Sequence, residues 1–309
     1  MSQNTPLLIT GGTLVDPKQD RNSICDLLIE GERVKWVWEV GKGDAPPLPG
    51  KVKIFDAKGM IVSPGFVDLH CHLREPGQEH KETIKTATRA AASGGFTTIC
   101  AMPNTDPVMD NQSVVDFVIN KSNEVGHVRV LPIGSVTRGS KGKHLTDMNE
   151  LAEAGVIGFS DDGNPVWDPN IMRQAVSYSM ALGLPVINHC ETLELSAGGT
   201  MNEGWISNRL GLKGVPNAAE DSMVARDIAI SKLTGGNIHI AHISTKGSID
   251  LVREAKTQGV NITCEVTPHH LTLTDSYVMG VDNDQNSFGP LNNLSLIHIS
   301  EPTRLGMSS

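Results

Sequence analysis

Ile61-Val62-Ser63-Pro64-Gly65-Phe66-Val67-Asp68 runs straight into Leu69-His70-Cys71-His72-Leu73-Arg74-Glu75-Pro76-Gly77. The apolar, partly β-branched run predicts a strand over Ile61 to Asp68, and the residues just beyond it are of the types that bind metals and anions. The same pattern recurs downstream: a short strand-like run, a polar residue at its end, then a longer helix-compatible segment. Strands are predicted over Phe96 to Ala101, Val128 to Gly134, Val156 to Ser160, Leu184 to Asn188, Ile238 to Ala241 and Asn261 to Val266, making seven with the first. Strands alternating with helical segments indicate repeated βα units and a parallel sheet. A parallel barrel closes with eight strands and keeps its chemistry at their C-terminal ends, so seven strands followed by a break predict an incomplete α/β barrel of the TIM (β/α)8 type. An open doubly wound sheet fits less well, because its ligand residues gather at one switch point, whereas here almost every strand ends in polar residues.

Upstream the texture differs. Leu7 to Gly12, Asp26 to Glu32 and Val52 to Asp56 are short apolar runs set between turn residues, with no helical period, so residues 1–60 predict a small all-β unit and residues 61–293 the barrel. The balance of 35 acidic against 26 basic residues gives a net charge of −9, which argues against a nucleic-acid partner. Met1 to Pro6 lacks the basic and apolar regions of a signal peptide and no stretch is apolar for long enough to span a bilayer, so a cytoplasmic chain with no membrane partner is expected. Cys25, Cys71, Cys100, Cys190 and Cys264 form no Cys-x-x-Cys pair and read as reduced core residues.

Period-2 alternation places His70 and His72 on one side of the chain, where two imidazoles can reach one cation. Asp161-Asp162-Gly163 follows the fourth strand, His189 the fifth and His242 the sixth, so four strand ends carry ligand-type residues. Taken singly, each has a plain structural explanation, as a core histidine or an aspartate capping a turn. Together they suggest a two-metal site, with Asp162 as the shared carboxylate, His70 and His72 on one side, and His189 and His242 on the other. Nitrogen and carboxylate ligands favour zinc, although manganese or cobalt suits the same set. Arg74 could fork a planar carboxylate, or form an ordinary surface ion pair. Asn104 sits in a Pro-Asn-Thr turn at the second strand's end. His269 and His270 read as packing or outer-layer residues, and Glu191 either faces the site or points to solvent.

Asp68 to Gly77, taken with Met102-Pro103-Asn104-Thr105, Ser160-Asp161-Asp162-Gly163, Asn188-His189-Cys190-Glu191, His242-Ile243-Ser244-Thr245 and Thr267-Pro268-His269-His270-Leu271, resembles the class I bacterial dihydroorotases of the amidohydrolase superfamily. The resemblance covers about Leu7 to Tyr277. It implies a TIM barrel with a small β-sandwich built from both chain ends, residues 1–60 supplying the N-terminal half. The implied activity is the reversible cyclisation of N-carbamoyl-L-aspartate to L-dihydroorotate in pyrimidine synthesis. Two zinc ions would be held, one by His70, His72 and Asp162, the other by Asp162, His189 and His242. Arg74, Asn104 and His72 would contact the substrate. A homodimer and an association with aspartate transcarbamoylase are the partners the resemblance admits, beside the small-molecule substrate.

The chain also departs from that pattern. The family's Thr-Asp-His-Ala-Pro motif at the eighth strand, whose aspartate is the general acid/base, has no match, and Phe288-Gly289-Pro290-Leu291 is a poor counterpart of the Asn-Pro-Pro-Leu-Arg segment before it. Leu294 to Arg304 reads as the translation of a sequencing-library adaptor, so the native frame is expected to end near Asn293, with 294–309 a foreign tail. This polypeptide is accordingly expected to be inactive and poorly stable, although its parent gene encodes an active enzyme. Hydantoinases, dihydropyrimidinases and allantoinases share the barrel but usually bridge their metals with a carboxylated lysine, and Gly155 to Asp162 contains none. A silent homologue serving as a structural partner of the transcarbamoylase typically loses metal ligands, and here they are all kept.

Overall fold

A computed structural model describes residues 5–279, which divide into two compact units between Phe66 and Val67. The first is a single sheet. Strands β1 (Leu7–Asp16), β2 (Arg21–Glu30), β3 (Arg33–Glu39) and β4 (Lys53–Asp56) lie in the order β3-β2-β1-β4, and β5 (Ile61–Val62) also pairs with β1. β1 and β2 are antiparallel, joined by a tight 3-10 turn in which the Asp16 carboxylate accepts from the Lys18 N–H. β4 and β5 run parallel to β1. Leu14, Cys25 and Leu27 form the buried centre of this sheet.

The strand expected over Ile61 to Asp68 is therefore two strands. Ile61 and Val62 belong to the first unit, and the barrel strand β6 begins at Phe66 and runs to Cys71, so His70 lies within a strand. Ser63-Pro64-Gly65 separates them because proline has no N–H to offer a ladder. The expected boundary after residue 60 moves to Phe66 for the same reason. The strand β3 was not apparent from sequence, being charged and only partly covered.

From β6 the chain builds an arc of seven strands. In chain order the elements are α1 (Ile84–Ser93), β7 (Phe96–Ala101), α2 (Gln112–Val125), β8 (Arg129–Pro132), α3 (Met148–Glu153), β9 (Phe159–Ser160), α4 (Pro169–Leu182) and β10 (Val186–Asn188). There follow α5 (Leu193–Ser196), β11 (Met201–Asn202), α6 (Trp205–Leu210), β12 (Gly214–Val215), α7 (Ala218–Thr234), β13 (Ile238–Ile240), α8 (Lys246–Thr257), β14 (Ile262–Cys264) and α9 (Pro268–Thr272). Hydrogen bonding runs β6-β7-β8 and β9-β10-β13-β14. The two halves are continuous: the Ile157 N–H donates to Pro132 O at 3.0 Å and the Ser160 N–H to Gly134 O at 2.8 Å. β11 and β12 form a small separate ladder in the excursion after β10. This is an incomplete (β/α)8 barrel. Among the described residues β6 and β14 each have a neighbour on one side only, and Val67 and Leu69 on β6 are about half exposed (53% and 52%). Residues 288–291, the frame end near Asn293 and the tail 294–309 lie outside the described residues.

Helices start where side chains can satisfy their first N–H groups: Thr83 caps α1, Asn111 α2, Asp168 α4 and Thr245 α8. The core lies between strands and helices. Phe159, Val186, Ile238 and Ile240 from the strands pack with Met172 and Val176 of α4 and Val224 of α7, all fully buried. Because alternate strand residues face opposite ways, the positions between these core residues point inward, away from the helices. Cys25, Cys100 and Cys190 are buried, Cys71 and Cys264 half-buried, and all five are free thiols. No helix among the described residues is long and apolar enough to cross a membrane.

Phe159 is the largest side chain with no exposed surface, so Phe159→Ala should destabilise the barrel unit by about 3–5 kcal/mol through lost burial and the cavity left behind. Tyr178→Ala, at an exposed position, should stay within about 0.5 kcal/mol of the parent. Urea unfolding followed by circular dichroism compares the two.

Candidate metal centre

Four imidazoles converge on the buried carboxylate of Asp162. Its Oδ2 lies 3.4 Å from His70 Nε2 and 3.5 Å from His72 Nε2, and its Oδ1 lies 3.7 Å from His189 Nδ1 and 3.5 Å from His242 Nε2. His189 Nδ1 and His242 Nε2 are themselves 2.9 Å apart. The structure thus brings together all five residues predicted as ligands, as two groups that share Asp162, each able to hold a metal ion. Donors on a tetrahedral ion at about 2.0–2.1 Å lie roughly 3.3 Å from one another, close to the spacings here. Asp162 Oδ1 is buried and makes no hydrogen bond among the described residues, a state that costs free energy unless a cation takes the lone pair.

The remaining ring nitrogens explain why these faces stay bare. His70 Nδ1–H donates to Glu265 Oε1 at 2.5 Å, His72 Nδ1–H to Asn104 Oδ1 at 2.9 Å, and His189 Nε2–H to Glu191 Oε2 at 3.0 Å. With its one proton placed there, a neutral ring turns its lone pair toward Asp162, the form that binds a cation, whereas a second proton on that nitrogen pairs with the Asp162 carboxylate. Burial opposes charge on His70, yet the carboxylates of Asp162 and Glu265 outweigh it and push the imidazole up to about 10. Against the same opposition, Asp162 and Glu191 push His189 up to about 9. His72 shifts downward, chiefly through burial, with the neighbouring charges of His70 and Arg74 adding to it. Asp162 is held well below the carboxylate range despite burial, by His189, His242 and His70. Burial likewise opposes the charge on Glu265, but His239 and His70 hold it down to about 2.

Asn104, predicted to contact substrate, has its side chain engaged within the centre: besides accepting from His72, its Nδ2 donates to Asp162 O at 3.4 Å. Arg74 takes a left-handed backbone (φ 61°), and its carbonyl accepts from the Gln78 N–H, while Gln78 Nε2 donates to Asn104 O. Gly77 closes that turn against the next one. It has φ +89°, and a Cβ there would sit 1.9 Å from Asp106 O, so only glycine fits. Among the described residues the arginines in ion pairs are Arg226 and Arg253, so Arg74 is not consumed by a surface pair. Glu191 faces His189 rather than solvent. His269 and His270 lie in α9, outside both ligand groups.

Sequence reasoning missed Glu265, although its place was readable: it is the one charged residue in the run Asn261 to Val266, two positions after Thr263 and on the same face. It also missed Asp227 of α7, which is fully buried. Asp227 Oδ2 accepts from Asn188 Nδ2 at 2.6 Å and from Cys190 Sγ–H at 3.4 Å, so both neighbours of His189 are fixed to one carboxylate. Its Oδ1 takes Arg226 Nε and an Nη at 2.9 and 2.7 Å. Asp161 performs the same service beside Asp162, accepting from Ser135 Oγ at 2.6 Å, the Thr137 N–H at 3.0 Å and the Thr137 hydroxyl.

Residues 59–248 match the family described as dihydro-orotase-like. Among curated proteins, the chain is 48% identical to a dihydroorotase of Geobacter metallireducens over 285 residues, covering 92% of this chain and 66% of that protein. It is 50% identical to a dihydroorotase of Pelotomaculum thermopropionicum, covering 92% and 65%. The chain thus spans about two thirds of the length of these relatives. Among solved structures it resembles the L-hydantoinase (dihydropyrimidinase) from Arthrobacter aurescens, with a TM-score of 0.73, 20% identity, and coverage of 91% of this chain and 64% of that one. A dihydropyrimidinase from Brevibacillus agri superposes with a TM-score of 0.68 at 21% identity, covering 92% and 64%. At these identities the likeness speaks to the fold, and it agrees with the incomplete barrel.

Asp227→Ala would leave the Asn188 amide and the Arg226 guanidinium without their shared partner. It should destabilise the barrel unit by about 3–5 kcal/mol, as expected for breaking a buried ion pair. An unchanged urea midpoint would show that the Asp227 network contributes little.

Proposed function

Because the chain belongs to the dihydro-orotase-like family, we propose that the whole protein is a metal-dependent cyclic amidohydrolase that interconverts L-dihydroorotate and N-carbamoyl-L-aspartate. The observation that carries this reading is the Asp162 carboxylate faced on both oxygens by four imidazoles, with Arg74 two residues beyond His72. His70, His72 and Asp162 would hold one zinc ion, and Asp162, His189 and His242 a second. When bound, such ions polarise a carbonyl and lower the pKa of water.

The chain's own residues do the rest. In the hydrolytic direction the oxygen of water joins the ring carbonyl carbon, the ring C–N bond breaks, and the departing nitrogen takes a proton. Both the cyclic and the open compound carry a carboxylate at the same end. A guanidinium presents a planar fork to it and, being always charged, does so at any working pH. Arg74, two residues beyond His72 in the chain, has the chemistry to hold that group while the ring amide reacts beside Asp162. A neutral hydantoin offers Arg74 no carboxylate, and the segment before Asp162 has no lysine to carry a bridging carbamate.

The test is turnover of L-dihydroorotate against hydantoin by the full-length gene product. L-Dihydroorotate should be strongly preferred. Chelation should stop the reaction and zinc restore it, with one or two ions bound per chain. Arg74→Ala should cut kcat/KM for L-dihydroorotate by about a hundredfold, roughly 2.7 kcal/mol of transition-state binding. Equal turnover of hydantoin, or an Arg74→Ala variant as efficient as the parent, would sink the assignment.

A further inference from the structure

We propose that Glu265 is a positioning residue that ties the two halves of the metal centre together and sets the tautomer of His70. The inference rests on the metal-centre reading above and deepens it. Glu265 follows β14, and its backbone brackets the loop after β13: its N–H donates to Ile240 O at 3.1 Å, and its carbonyl accepts from the Ile243 N–H at 2.9 Å. Between those two anchors lies His242, a ligand of the second group, in a left-handed conformation (φ 32°). Such a conformation is unfavourable for a non-glycine residue and persists only where surrounding bonds fix it. The two backbone bonds supply part of that restraint, and the Glu265 carboxylate adds a longer one, its Oε1 accepting from the His242 N–H at 3.3 Å.

The same oxygen accepts from His70 Nδ1–H at 2.5 Å, on β6 at the other end of the arc. One carboxylate oxygen therefore touches a ligand of each group, through the ring of one and the backbone of the other. Its second oxygen faces His239 Nε2 at 3.4 Å, and His239 Nδ1 is hydrogen-bonded to Thr263 Oγ1 at 2.8 Å. The carboxylate is thus held in place from the strand beside it.

The consequence for His70 is chemical. A neutral imidazole left alone prefers its proton on Nε2, the nitrogen that must be bare to face a cation beside Asp162. An acceptor at Nδ1 reverses that preference, orients the ring and raises its basicity, as is usual for outer partners of metal-bound histidine.

Long-range 1H–15N correlation spectra of the metal-free full chain, taken above the pH at which His70 loses its second proton, would read the tautomer, and zinc titration against a chromophoric chelator the affinity. Glu265→Ala should move the His70 proton from Nδ1 to Nε2 and weaken zinc binding by the His70 group about ten- to a hundredfold. Glu265→Asp keeps the charge but withdraws the oxygen by one methylene, so it should behave like the alanine variant even if alanine compromises folding. Glu265→Gln still offers an oxygen to Nδ1–H and should return the affinity to within a few fold of the parent. Parent-like tautomer and affinity in the aspartate variant, or a glutamine variant as weak as alanine, would overturn the positioning role. His70→Ala separates the two readings: if it leaves zinc binding intact, the metal-centre assignment itself is wrong, whereas loss of zinc there with unchanged binding in the Glu265 variants rejects Glu265 alone.

Discussion

Asp162 is an anion in a place that anions avoid. Withdrawing a carboxylate from water costs several kcal/mol even after relaxation, and the cost is tolerable only where opposite charge or hydrogen bonds meet both oxygens. Here both are met by imidazole nitrogens from three other strand ends, so the position of Asp162 makes sense only if β6, β10 and β13 deliver His70, His72, His189 and His242 to within 3.7 Å. That single requirement orders the barrel unit. The strands must splay their C-terminal ends around one point, and each ring must turn a chosen nitrogen toward it.

Orientation is supplied by an outer layer of polar groups, each on a different element. Glu265 governs His70, Asn104 governs His72 and Glu191 governs His189, while Asp227 holds the side chains on either side of His189 and Asp161, next to Asp162, is anchored to Ser135 and Thr137. Burying so many acidic groups near one site would be costly if they acted alone. They are instead neutralised in pairs with imidazoles or satisfied by hydroxyl, amide and guanidinium donors, and the charge left over favours a cation.

The convergence of His70, His72, Asp162, His189 and His242 and the barrel were legible in the sequence because both obey short-range rules. A strand places alternate residues on one face, so His70 and His72 had to share a side, and βα repetition placed Asp162, His189 and His242 at equivalent strand ends. What escaped notice obeys no local rule. Ile61 to Asp68 looked like one strand because its apolar character is continuous, and only the pairing of Ile61 and Val62 with β1 reveals that Pro64 divides it. Asp227 sits in α7 as one acidic residue among several, and nothing in its neighbours' spacing announces that it is buried beneath His189. Asn104 read as a turn residue, and nothing local shows that its amide spans His72 and Asp162, 32 and 58 positions away.

Charge is distributed unevenly across the centre. His70 and His189 sit between carboxylates and hold protons strongly, whereas His72 is pushed the other way, chiefly by burial, with the charges of His70 and Arg74 adding to it. Arg74, two residues beyond His72, is a fixed positive charge that adds to the downward shift of that imidazole. The turn that presents Arg74 is locked by Gly77 against Asp106 and by Gln78 against Asn104. Thus the Arg74 turn and the Asp162 cluster are tied to one another through Asn104.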